Sequence, residues 1–314
     1  MDIDRDLPFT DRPFTYQQAL ATGVSRRRLR TLLDAGLVRR LLAGVYVRHD
    51  AQDSQLLRAR ALALVVPKGY VVTDESAGWL AGAPMILRPG SHLAVPPLTI
   101  FGADGQNRLR NELTDSGRRR LIRRDIHVVH GIQVTTPLRT ALDLGRLRQR
   151  DRAIAALDQL MAVGRFSHED LQRETLRLRG FRGVRQLRAL TPLVDPRSES
   201  PGESALRLRF HDAGLPRPEC QLDIHDEDGV FLGRGDLAIE DIRFLAEYDG
   251  ERWHGEGRAA HDAERRDALK RSGWTVRVLT KADVFGRTQD VTKILIGGVN
   301  DARARMWTWN FERA

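Results

Sequence analysis

The chain has 314 residues, 41% hydrophobic and 30% charged, a balance that suits folded domains and excludes a largely disordered chain. One cysteine, Cys220, excludes an internal disulfide and any cysteine-rich zinc site. The net charge of +9 is uneven: residues 1–150 hold 24 Arg/Lys against 14 Asp/Glu, residues 151–314 hold 27 against 28.

A basic front half points to a polyanion, and double-stranded DNA is the expected partner. No apolar run approaches the ~18 residues of a transmembrane helix. The acidic start "MDIDRDLPFTDRPF" lacks the apolar core of a secretory signal. A cytoplasmic, nucleoid-associated protein with no membrane partner is expected. The length leaves room for two or three domains.

In chain order, Thr15 is placed to cap a short helix carrying Ala19 and Leu20, which Gly23 ends. Ser25 caps a second helix, "RRRLRTLLDA", with Leu29, Leu32 and Leu33 on one face and Gly36 just past its end. "LVRRLL" and "GVYVR" then read as a hairpin turning at Ala43-Gly44. Helix, turn, helix, hairpin is the order of a winged helix, whose second helix enters the major groove. Its first turns hold Arg26, Arg27, Arg28 and Arg30. Cations there oppose the helix dipole, so contact with DNA explains them better than helix stability does. The pattern over residues 14–50 resembles the N-terminal winged helix of the AbiEi antitoxin family.

Residues 51–192 read as an α+β segment: a helix over 53–66, a strand "YVVT", a helix "DESAGWLAGA" capped by Thr73, a strand pair around Gly131, and a helix opening at Pro137. This span also resembles AbiEi-type proteins. It shows no catalytic constellation. His127 and His130 read as surface histidines, and "GRRRLIRR" (117–124) is a basic run open to either phosphate contact or plain solvation.

The stretch "TPLVDPRSESPGES" (191–204) marks a domain boundary, giving expected domains at 1–50, 51–192 and 196–314. The last segment reads as helix 201–213, strands near 219–225, 230–239 and 243–249, helix 259–272 and strand 274–279. "MWTWNFERA" is left as a strand or a loose end. Alternation puts Asp236 and Ala238 on one face, and Glu247 and Asp249 on one face. A turn at Asp241-Ile242 opposes Asp236 to Glu247, with Cβ atoms ~5 Å apart. Carboxylates that close repel unless a proton or cation lies between them, and Mg²⁺ or Mn²⁺ suits oxygen donors. Glu203 is the third residue of a capping box opened by Ser200; the helix, meander, helix, strand order resembles the restriction-endonuclease-like core, which implies that an acid of this first helix also reaches the site.

Residues 196–285 ("ESPGESALR", "GRGDLAI", "AEYDGERWHG", "DAERRDALKRSGWTVRVLT") resemble endonuclease-like domains related to very-short-patch repair endonucleases, of the PD-(D/E)XK superfamily. The resemblance implies a restriction-endonuclease-like α/β core and a Mg²⁺- or Mn²⁺-dependent hydrolase of DNA. Asp236 and Glu247 would be the metal acids, with His254 beside them. Arg265 and Arg266 would clamp phosphate from a neighbouring helix. One departure stands out: Asp249 occupies the position of the usual lysine. His254, Lys270 or Asp249 itself would have to serve the attacking water. An inactive nuclease shows the same loss, as do the repair enzymes. The whole chain is therefore expected as a multidomain α+β and α/β protein. Its activity is either DNA cleavage, beside a methyltransferase gene, or antitoxin-like regulation without catalysis, in a toxin–antitoxin operon.

Overall fold

The computed structural model describes residues 11–87, 98–102, 114–250, 256–286 and 291–313. It is a mixed α+β molecule with three sheets and, among the described residues, twelve α-helices. The chain divides into two compact units. The first comprises Met1–Met85, His92–Leu147 and Val163–Leu187; the second comprises Ile86–Ser91, Arg148–Ala162 and Arg188–Ala314.

In the first unit, Thr15 caps α1 (Tyr16–Ala21) through a full capping box with Gln18. Ser25 caps α2 (Arg26–Asp34), and Gly23 and Gly36 take the left-handed turns expected of them. Strands β2 (Val38–Leu42) and β3 (Val45–Arg48) form the hairpin. A two-residue strand β1 (Phe14–Thr15), not foreseen, adds to its edge in the order β1-β3-β2. Phe14, Ala19, Val24, Leu29, Leu32, Val38 and Tyr46 close a small core.

Helix α3 (Gln55–Ala63) leads to β4 (Tyr70–Val72) and α4 (Asp74–Ala81). Thr73 stands at the N-cap of α4, but its hydroxyl makes no cap bond. Strands β5 (Leu98–Gly102), β6 (Thr114–Arg118), β7 (Ile126–Val129) and β8 (Ile132–Thr135) join β4 in the order β6-β5-β4-β8-β7. Helices α5 (Pro137–Leu147), α7 (His168–Arg177) and most of α8 (Val184–Leu190) complete the unit.

Its centre is ionic. Arg139, 1% exposed, bonds Asp125 at 2.5 Å and Asp143 at 2.9 Å. Arg119 bridges Asp74 and Asp143 beneath the Phe101 ring, Arg146 holds Asp143, and Arg177 holds Asp125. Burial alone would raise the Asp143 carboxyl. The charges of Arg119, Arg139 and Arg146 reverse this and hold it below the usual range. Arg119 belongs to the run that reads in sequence as a solvated or phosphate-binding patch, and it is instead committed inward.

The second unit is built on β9 (Glu219–His225), β10 (Phe231–Ile239), β11 (Phe244–Asp249) and β12 (Thr275–Thr280), in the order β12-β11-β10-β9. β9, β10 and β11 are antiparallel neighbours. β12 lies parallel to β11 after the crossover helix α10 (Glu256–Arg271). One sheet face packs Leu237, Phe244 and Ala246 on α9 (Pro201–Asp212), α11 (Lys281–Phe285) and α12 (Val291–Arg313). The other packs Ala238 and Leu245 on Leu269 of α10 and on Trp274.

Two sequence expectations change here. The segment "MWTWNFER" is neither strand nor loose end but the last turns of α12. Its alternating aromatics imitate a strand, yet Val291, Leu295, Val299 and Ala302 upstream repeat at helical spacing and are buried. Helix α6 (Arg150–Ala162), within the segment read as 51–192, belongs to the second unit, where Arg207 of α9 bonds the wholly buried Asp158.

Candidate functional site

The β10–β11 hairpin decides the register of the acids. Leu237 faces Ala246, Ala238 faces Leu245 and Ile239 faces Phe244, so the ladder runs toward Asp236 and Glu247 as the alternation requires. The turn differs from the expected two-residue one. Glu240–Ile242 make a 3-10 turn and Arg243 takes a left-handed φ of 48°. The longer loop keeps the same register.

Glu247 is 6% exposed and both of its oxygens are taken: Arg265 Nη2 donates to Oε1 at 2.6 Å, and Arg266 Nε donates to Oε2 at 3.3 Å. Asp236 Oδ2 accepts from the Tyr248 N–H at 2.8 Å. Glu203, at the start of α9, is also 6% exposed. Its Oε2 accepts from the Glu199 N–H and from Gln221 Nε2, both at 2.9 Å. Ser200 Oγ accepts from the Glu203 N–H at 3.1 Å, so one half of the capping box forms. The other half is displaced, because the Glu203 carboxylate reaches the residue before the cap. Gly202 is required beside it: a Cβ there would meet the Tyr248 ring at 2.0 Å.

These groups share an electrostatic neighbourhood. Burial first, then the charge of Glu203, pushes the Asp236 carboxyl up to about 7; Glu247 adds to the rise, and the Tyr248 N–H and Arg265 oppose it. Burial likewise raises Glu203, against the bonds from Glu199, Ser200 and Gln221.

The remaining expected residues divide. Asp249 ends β11 opposite Thr280. Lys270 lies on an exposed face of α10, paired with Asp267 at 3.3 Å. His254 lies outside the described residues. Arg265 and Arg266 reach the cluster, as ion-pair partners of Glu247. The structure adds Gln221, held at a left-handed φ of 55°, and Tyr248, neither of which carried a sequence signal. A cavity of about 500 Å³ elsewhere in this unit, among Asp151, Arg152, Arg209, Lys281 and Phe285, includes none of the expected site residues.

The donors present do not suit a divalent ion. Both Glu247 oxygens are committed to arginines, Asp236 Oδ2 to the Tyr248 N–H, and Glu203 Oε2 to the Glu199 N–H and Gln221. Among the described residues no three His, Cys, Asp or Glu side chains are grouped to hold a metal.

The DNA-facing expectation falls on α2. Arg26, Arg27, Arg28 and Arg30 are all exposed, while Leu29 and Leu32 turn inward. No acidic residue stands in the first turn of the helix. Arg26 lies over the Tyr16 ring at 6.0 Å. No described helix is long and apolar enough to cross a membrane.

Residues 70–193 match the family described as the AbiEi antitoxin C-terminal domain. The uncharacterized proteins MT2308 and Rv2248, from the CDC 1551 / Oshkosh and ATCC 25618 / H37Rv strains of Mycobacterium tuberculosis, are each 33% identical over 196 residues. The match covers 59% of this chain and 72% of each relative. The crystal structure of the RV2827C protein from Mycobacterium tuberculosis is similar at 17% identity and a TM-score of 0.31, covering 62% of this chain and 75% of that one. The chain belongs to the family of the two mycobacterial proteins MT2308 and Rv2248, and its residues 70–193 are similar to the AbiEi antitoxin C-terminal domain.

Proposed function

We propose that the chain is a non-enzymatic, antitoxin-like regulator that binds double-stranded DNA through α2 of an N-terminal winged helix. The observation that carries this reading is the row of exposed arginines on α2, set where the helix dipole disfavours them. A helix that gives up stability to present four cations is suited to phosphates and to guanine edges in the major groove. The AbiEi antitoxin match supports a regulatory setting, with a toxin as the second partner.

The test is a gel shift on the duplex upstream of the chain's own gene. The variant Arg26→Ala/Arg27→Ala/Arg28→Ala is expected to lose at least ~10-fold in affinity, with a salt slope shallower by about 2–3. A wild-type protein that shows no preference for that duplex over unrelated DNA ends the reading.

A second reading, metal-dependent cleavage of DNA, keeps the convergence of Asp236, Glu203 and Glu247 in its favour. Plasmid nicking with Mg²⁺ or Mn²⁺ by the wild type, absent in Asp236→Ala and Glu247→Ala, would establish it. A toxin gene next to this one favours the regulator; a methyltransferase gene favours the nuclease.

A further inference from the structure

We infer that the guanidinium groups of Arg265 and Arg266 are the counter-cations of the carboxylates on β10 and β11, so that the cluster is an arginine-closed joint fastening α10 to the sheet and not a metal centre. The inference does not rest on DNA binding by α2.

The starting point is charge. Glu203, Asp236 and Glu247 approach one another in a poorly solvated place, and acids so placed need a proton or a cation between them. Asp236 Oδ2 takes the Tyr248 N–H at 2.8 Å. Glu247 receives one nitrogen from each of two arginines, and these supply the cation. The charge of Arg265 acts on Asp236 as well. Its bond goes to Glu247 alone, and its Nη1 is buried without a hydrogen-bond partner.

Sequence and backbone prepare a path for Arg265. Its aliphatic stem crosses β10 at Gly233, where an added Cβ would sit 2.8 Å from Arg265 Cδ. Gly233 also holds φ at +147°, beside a register shift between Phe231 and Gly233. Arg265 and Arg266 are consecutive on α10, and they reach different oxygens of one carboxylate. The two bonds thus fix both the rotation and the height of α10 over the strands. A metal at Glu247 would first have to displace both arginines and then leave their charges beside it.

The experiment uses the full chain. Mn²⁺ is titrated by electron paramagnetic resonance, and thermal unfolding is followed with EDTA and with millimolar Mn²⁺. The variants are Glu247→Gln, Arg265→Gln, Arg266→Gln and the exposed control Lys270→Ala. The expected result is a wild type whose Mn²⁺ binding, if any, is unchanged by Glu247→Gln, and whose Tm ignores Mn²⁺. Arg265→Gln and Arg266→Gln each lower Tm by roughly 5 °C, because a buried carboxylate loses half of its compensation. Lys270→Ala leaves it within about 1 °C. An arginine variant that does not fold supports the joint in the same sense, and the wild-type and Glu247→Gln titrations still decide the metal question. Saturable Mn²⁺ binding abolished by Glu247→Gln overturns the inference, as do arginine variants that melt with the wild type.

Discussion

At the scale of single residues, the side chains with the most consequence are charges removed from water. Asp236 carries a pH dependence whose sign can be worked out. Its folded carboxyl titrates at about 7, against 3.8 for the free side chain. Between those values the folded state keeps a proton that the unfolded state has released, so stability falls as pH rises from about 4 to about 7 and levels off above that. Three units at ~1.4 kcal/mol each set a ceiling of about 4 kcal/mol. Asp236→Asn keeps an acceptor for the Tyr248 N–H and removes the titration. It should match the wild type near pH 4 and melt several degrees higher at pH 8; parallel pH profiles of Tm for the two proteins would refute this. The face shared by Asp236 and Glu247 was legible from alternation, because a strand has period two; their opposition rested on an assumed turn at Asp241-Ile242, and the longer actual loop keeps that register. The partners of Glu247 were not legible. Arg265 and Arg266 were set beside the site only by the resemblance, as phosphate ligands; nothing in "DAERRDALK" itself shows that they turn to Glu247. Arg119 and Arg139 were hidden for the same reason, since a long cationic side chain can be drawn inward by acids far away in sequence.

At the scale of elements, local chemistry was read well where a cap or a turn declared itself. Thr15, Ser25 and Ser200 each accept the backbone bond expected of an N-cap. Thr73 did not, and the neighbouring Asp74 has its carboxylate drawn to Arg119 instead. The strands and crossover helix of the second unit were placed within a residue or two at most ends, because each alternates or repeats over its whole length. The last helix was missed because its final turns carry aromatics at alternate positions in the sequence. If α2 binds DNA as proposed, it is the element in which stability and function oppose one another. Arg27 lies in its first turn, exposed, where an acid would be favoured by the dipole. Arg27→Glu should therefore raise stability by about 0.3–1 kcal/mol at low salt while weakening DNA binding by at least ~10-fold. Denaturation and gel shift on the same variant check both arms. A loss of both stability and binding would mean that Arg27 serves the fold.

At the scale of the whole molecule, the sequence suggested a cut at the proline-rich stretch 191–204; the chain makes its last crossing at Leu187/Arg188, just ahead of it, but has already crossed once for α6. It enters the second unit for α6, returns to the first for α7, and only then reaches α9. The linker composition was a fair signal of a turn but could not reveal that α6 had already crossed. In the second unit α6 supplies Ala153, Ile154, Leu157 and Leu160, all fully buried. Its Asp158 takes Arg207 and the Ser204 hydroxyl of α9, Asp151 takes Arg209 at 2.7 Å, and Arg150 takes Asp212 at 2.6 Å. Asp158 is buried enough that desolvation raises its carboxyl even against the Arg207 charge. A fragment starting at residue 196 keeps the four-stranded sheet but loses every one of these partners. Arg207, 4% exposed in the intact unit, would be left as a charge on an opened apolar face. Removing one member of such a pair costs about 3–5 kcal/mol, before the lost apolar burial is counted. Fragment 196–314 should therefore bind a hydrophobic dye and melt without a cooperative transition. Supplying residues 148–162 as a peptide should restore part of the transition. A fragment that melts cooperatively at the temperature of the full chain would show that α6 is an ornament of this unit and that the proline-rich stretch is the true boundary.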